Sequence, residues 1–125
     1  MFQTNQMVKA RKAIESLYDG TCTITEHQKV KNEDKSTGFK DVVVLKDQLC
    51  RLSFKTISQT NPNENGAAAM VQVTKLFIAP EIQVKAGSKV TVTQKGVTTE
   101  YKNSGVPAVY TTHQEIILEL FDRWA

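Results

Sequence analysis

Arg51–Pro80 reads RLSFKTISQTNPNENGAAAMVQVTKLFIAP, and this stretch decides how the chain is organised. Two strand-like runs, RLSFK and MVQVTKLFIA, are separated by a polar insertion rich in Asn, Gln, Ser and Thr, followed by Ala67–Ala69. The insertion, Thr56–Met70, has little apolar content to anchor it in a core. Long structureless connections inside compact domains are uncommon unless they serve a function or are disordered. Such a loop is expected to be a disordered insertion tolerated at small entropic cost, or a segment that orders against partners or lines a channel.

Outward from this insertion the pattern is strand and turn. Thr21–Glu26 alternates Cys22, Ile24 and Glu26 with threonines, the signature of a pleated strand. Asn32–Gly38 (NEDKSTG) reads as a hairpin loop and Phe39–Leu45 (FKDVVVL) as a second strand. Its unbroken VVVL implies burial on both faces or a local bulge. Leu49–Phe54 forms a third, and Met70–Ala79 resumes after the insertion. Val90 and Val92 alternate with threonines, and Lys95–Gly96 is a hairpin turn with Gly96 suited to positive φ. Val97, Thr99 and Tyr101 share a face of the next strand. After the turn Asn103–Pro107, Val109–Phe121 reads as the last strand, with Ile116, Leu118 and Leu120 inward and Glu115, Ile117 and Glu119 outward.

Before this β region, Gln3–Leu17 is the one good helical stretch. Met7, Ala10, Ile14 and Leu17 recur at helical spacing as an apolar stripe. Lys9, Lys12 and Glu15 lie off it and Arg11 sits near its edge. Asp19–Gly20 supplies a stop, with Gly20 suited to a left-handed cap. The expected fold is mainly β: a small closed or partly open antiparallel barrel, residues 21–125, with an N-terminal helix or arm over 1–20 and an inserted loop over 56–70. Closing the sheet removes exposed edges, which favours a barrel over an open sandwich.

Composition excludes several function classes. Hydrophobic residues make up 40% and charged residues 23% of the 125 residues, ordinary for a soluble domain. The net charge of +3 and the scattered lysines argue against a dedicated nucleic-acid stripe. No apolar run reaches the roughly 20 residues that span a bilayer, and the start lacks a signal-peptide pattern. A cytosolic, membrane-free setting is expected. Cys22 and Cys50 match no metal spacing and read as small buried hydrophobes.

Catalytic chemistry is thinly represented. His113 and Glu115, two apart on a strand, share a face and could touch one ligand or proton; a solvated strand face is the plainer reading. No GxSxG elbow frames a serine. Ala86-Gly87-Ser88-Lys89 lacks the phosphate-loop spacing and reads as a tight turn. No cofactor, metal or catalytic residue is assigned.

The C-terminal third, Ile82–Thr93 (IQVKAGSKVTVT), Glu100–Tyr110 (EYKNSGVPAVY) and Thr112–Ala125 (THQEIILELFDRWA), together with RLSFKTISQT before the Asn/Ala-rich loop, resembles the head–tail connector family of tailed bacteriophages, in particular its XkdH-type members from the Bacillus defective prophage PBSX. The resemblance spans Leu17–Ala125 and rests on overall pattern. It implies a head-closure, or stopper, subunit that assembles as a homo-oligomeric ring below the portal and its adaptor protein. Such a ring docks a tail-completion or tail protein and retains packaged DNA by steric, non-specific contact. By the same resemblance the long loop projects into the lumen as a gate, which would assign Lys55, Thr56, Ser58, Gln59, Asn61, Asn63, Glu64 and Asn65 to the channel. Apolar side chains that the barrel does not need, Ile117, Phe121 and Trp124 at one end and Met7, Ile14 and Leu17 on the helix, are candidates for subunit interfaces. A protein of this kind would reside in the bacterial host cytoplasm during assembly and then in the virion neck. The alternatives are a tail-terminator ring protein and, from another class, a small nucleic-acid-binding barrel.

Overall fold

The computed structural model describes the backbone of residues 5–60 and 68–124, and the side chains of these outside 57–71. One helix, α1 (Asn5–Glu15), precedes seven strands: β1 (Gly20–Lys31), β2 (Thr37–Thr60), β3 (Ala68–Ile78), β4 (Lys89–Gln94), β5 (Val97–Asn103), β6 (Ala108–Val109) and β7 (Gln114–Leu120). All pairings are antiparallel, in the order β3-β2-β1-β4-β5-β7-β6, and a further β3–β7 ladder joins the two ends. Six strands therefore form a ring of hydrogen bonds, with β6 appended to β7. The fold is the mainly β, antiparallel one expected. Its weakest seam is β5–β7, where the ladder holds only Tyr101↔Leu120, Lys102↔Glu119 and Asn103↔Leu118.

The core lies inside this ring. Cys22 and Ile24 of β1, Cys50 and Leu52 of β2, Leu76 and Ile78 of β3, Val90 and Val92 of β4, Tyr101 of β5, and Ile116 and Leu118 of β7 are buried together with Val84. They occupy alternate positions, as a one-sided pleat requires. Two buried amides secure the connection between β3 and β4. Gln114 Nε2 donates to the Ala79 carbonyl at 2.8 Å and to the Ile82 carbonyl. Asn103 Nδ2 donates to the Val84 carbonyl at 3.1 Å and to that of Lys85 at 3.3 Å.

Several local expectations need correction. The second and third strands are one 24-residue strand, β2, because the chain bulges instead of turning. Register shifts around Ile24 leave Val44 and the Lys46–Asp47 pair without β1 partners, and Asp47 takes φ 54°. VVVL thus marks a bulge, and Val43 and Val44 are exposed. Gly20 does not cap the helix. It opens β1, where a Cβ would lie 3.2 Å from both Gln94 Oε1 and the Thr93 carbonyl and 3.3 Å from the Cys50 carbonyl. Glycine serves there for close approach, not for left-handed φ. Lys95 and Gly96 both have positive φ, 52° and 77°, as a two-residue hairpin turn demands.

The last strand is a hairpin of β6 and β7, closed by Tyr110 N–H donating to the His113 carbonyl at 2.8 Å. Ile116 and Leu118 point inward as expected, but Leu120 is 68% exposed. β7 has by then run past its last pair with β3, Thr74↔Leu118, and Leu120 keeps only β5 beside it, at Tyr101. The inward face continues at the other end through Gln114. At the far end of β5, Val97 is exposed while Tyr101 is buried.

The helix faces the barrel differently from its apolar stripe. Met7, Val8, Arg11, Ile14 and Glu15 are half-buried, while Ala10 and Leu17 are exposed. Arg11 is the anchor: its guanidinium bonds Glu15 at 2.8 Å and reaches Glu81 in the β3–β4 connection. That ion pair ties the Arg11 side of the helix to the β3–β4 connection. Both carboxylates raise the arginine's proton affinity further, and Arg11 holds Glu81 below the ordinary carboxylate range.

Candidate interaction surfaces

The ring of ladders uses only the middle of β2. β1 pairs with β4 no further than Thr25↔Lys89, yet continues with β2 to Lys31↔Thr37. A two-stranded ribbon, Glu26–Lys31 against Thr37–Val42, therefore extends beyond the ring as a first arm. At the other end β3 leaves β7 after Thr74↔Leu118, while β2–β3 pairing runs on from Lys55↔Val73 to Thr60↔Ala68. This is a second arm. β2 is the spine of both, about 80 Å long at roughly 3.3 Å per residue if fully extended.

The second arm falls on the sequence's polar insertion, and the two differ. Thr56–Thr60 and Ala68–Met70 are strand, not structureless loop, because backbone ladder bonds do not depend on side-chain polarity. Of the candidate channel residues, Lys55, Thr56, Ser58 and Gln59 lie on this ladder. Asn61, Asn63, Glu64 and Asn65 lie outside the described residues.

The candidate interface residues lie in two places, on and just past α1 and at the C-terminal end of the chain. Met7 and Ile14 are half-buried on α1, and Leu17 is exposed beside a cleft of ≈ 250 Å³ between the helix and β2–β3 that Ile14, Tyr18, Arg51, Phe77 and His113 also line. Ile117 is half-exposed on the outer face of β7. Phe121 and Trp124 turn back onto their own chain: their rings meet edge to face at 5.0 Å, and Trp124 stacks on His27 at 4.9 Å.

His113 and Glu115 do meet, at 2.9 Å. The second oxygen of Glu115 takes Lys75 at 3.3 Å, so the carboxylate is committed on both sides as a clamp between β3 and β7. His113, then Lys75, hold its proton affinity below the ordinary range. Thr112 bonds the other ring nitrogen of His113 at 3.0 Å, and Tyr110 stacks on the ring. In the Ala86–Lys89 turn, the Gly87 N–H is taken by the Asn103 carbonyl and the Ser88 N–H by that of Lys85, so neither is free for an anion. Among the described residues no group of three or more His, Cys, Asp and Glu is placed to hold a metal. No helix there is long and apolar enough to cross a membrane.

Neither a family model nor a curated protein matches this sequence. Among solved structures, the phage-like element PBSX protein xkdH from Bacillus subtilis is similar. It aligns with a TM-score of 0.47 at 12% identity, over 80% of this chain and 91% of that one. So distant a likeness leaves the role to be argued from the chain itself.

Three features escaped the sequence reading. The Phe39–His27–Trp124 stack depends on the β1–β2 register, which sets Lys29 opposite Phe39 and His27 opposite Asp41. The Arg11–Glu81 pair spans 70 positions, and no local pattern announces it. Gln94 reads as an ordinary strand-end polar residue, yet its side chain bonds both backbone groups of Leu52.

Proposed function

We propose that this chain is a structural subunit of a tailed-phage or prophage neck, a head-closure ring protein that joins the portal–adaptor complex to the tail and retains packaged DNA. The observation that carries this reading is the pair of β-ribbons at opposite ends of β2. An isolated two-stranded ribbon is marginal in water and offers unpaired edges to other chains. A subunit with two such arms is suited to contacts with two different neighbours, as a head-to-tail ring requires. By the resemblance, the second arm would serve as the gate.

The adaptor on one side and a tail-completion protein on the other are the partners this role needs, with DNA held by sterics. The role is structural, not catalytic. Duplex DNA should then bind the isolated chain weakly and without sequence preference; nanomolar, sequence-selective binding at physiological salt would favour a nucleic-acid-binding barrel instead. Negative-stain imaging of particles assembled without this protein tests the role. Heads that package and then lose DNA support head closure. Filled heads accompanied by free, over-long tails would mean a tail terminator.

A further inference from the structure

The C-terminal segment folds back on the root of the first arm. His27 is held between two ring faces, Phe39 at 4.7 Å and 8° and Trp124 at 4.9 Å and 13°. Asp41, opposite His27 in the ladder, places Oδ1 2.8 Å from Nδ1. Phe121 packs edge-on against Trp124, and the Lys89 ammonium lies 4.8 Å from the Phe121 centroid and 5.9 Å from that of Trp124. Phe39, His27 and Asp41 belong to the arm; Lys89, Phe121 and Trp124 belong to the barrel and its C-terminal segment.

We infer that this stack is a proton-sensitive latch that holds the first arm against the barrel. Imidazole is the side chain whose charge ordinarily changes between about pH 5 and 8. With a proton it is a cation between two π faces, attracted to both, and it adds an ion pair to Asp41. Without one it keeps the stacking and an Nδ1–H bond donated to the Asp41 carboxylate.

The other charges around the stack are largely engaged elsewhere. Lys89, on β4, reaches Glu100 at 3.7 Å; Lys85 reaches Glu26 at 3.8 Å; Asp122, next to the segment's aromatics, reaches Lys102 at 3.4 Å. Arg123 lies beside Trp124 in sequence. Lys89 opposes the imidazolium across the joint and Asp41 moves with His27 on the arm, so the attraction that fastens the arm is that of the charged ring for the Trp124 face, 4.9 Å away. Because the arm is a bare ribbon, this difference shifts its docking: it is fastened below neutral pH and freer above.

Trp124 is the chain's single tryptophan, so its emission reads the latch directly. A protonated imidazole stacked on indole quenches it. Emission of the full chain should therefore fall in one proton step as pH drops from about 8 to 5. It should stay flat in His27→Gln. In hydrogen exchange corrected for intrinsic rates, amides of residues 26–31 and 39–44 should open about two- to five-fold more readily at the alkaline end, and only with His27 present. A step that survives in His27→Gln, one removed by His113→Gln instead, or equal arm protection at both ends of the range would overturn the latch.

Discussion

Replacing Gln94 with alanine tests how the barrel closes. β1 begins at Gly20, and beyond it β2 and β4 have no strand between them. Gln94 spans the gap with its side chain: Oε1 accepts from the Leu52 N–H at 2.8 Å and Nε2 donates to the Leu52 carbonyl at 3.4 Å. The amide stands in for one residue of missing strand. Alanine would leave both Leu52 groups unpaired on that side, at a buried residue. A buried donor stripped of its partner costs about 1–3 kcal/mol, and the longer second bond adds little. For a domain of this size that is a fall in Tm of roughly 4–12 °C. Urea unfolding followed by circular dichroism gives the free energy, and Gln94→Glu refines it: a carboxylate keeps the acceptor, loses the donor and faces the Leu52 carbonyl. Alanine costing less than about 0.5 kcal/mol, or glutamate matching wild type, would refute the bridging role.

Other perturbations separate core from surface. Leu118→Ala should cost about 2–5 kcal/mol, whereas Leu120→Ala, two residues on, should cost under about 0.5 kcal/mol; equal costs would mean that β7 does not leave the core after Leu118. The lowered proton affinity of Glu115 contributes stability that is present above the ordinary carboxylate value of 4.5 and lost as pH falls through the lower folded value. Denaturant titrations from about pH 6 down to 3 should show that loss, and Glu115→Gln should flatten it; an unchanged acid limb would remove the clamp. Contact with Cys22, then burial, push the Cys50 thiol far up. A thiol reagent should leave both cysteines untouched at pH 8 in the native protein and titrate them in urea, so rapid native labelling would contradict their place in the core.

The sequence revealed what depends on local pattern. Alternation at Cys22/Ile24, Val90/Val92 and Ile116/Leu118 marks the core side of each strand, and Lys95–Gly96 marks a turn by its chemistry. What it concealed depends on register and on distant partners. A bulge at Val44–Asp47 looks like a strand end because the alternation breaks in both. The helix stripe misplaced Leu17 because α1 ends at Glu15, so Leu17 stands past the last helical turn and is exposed. Leu120 satisfies the inward period but outruns β3, keeping only β5 beside it. The candidate surfaces were legible in part: the polar insertion pointed to the second arm, whereas the first arm shows only once β1–β4 and β1–β2 pairing are seen to end at different places. The His27 stack was hidden for the same reason, since nearly 100 positions separate His27 from Trp124 in the chain.

The most direct measurement of the proposed role is imaging of particles assembled with a chain whose second arm is cut back, residues 57–71 replaced by a two-residue Asn-Gly turn. The arm lies outside the ring of ladders, so the shortened chain should keep the wild-type unfolding midpoint. Head closure predicts that those particles have tails but heads emptied of DNA. Heads that stay full with the arm removed would contradict it.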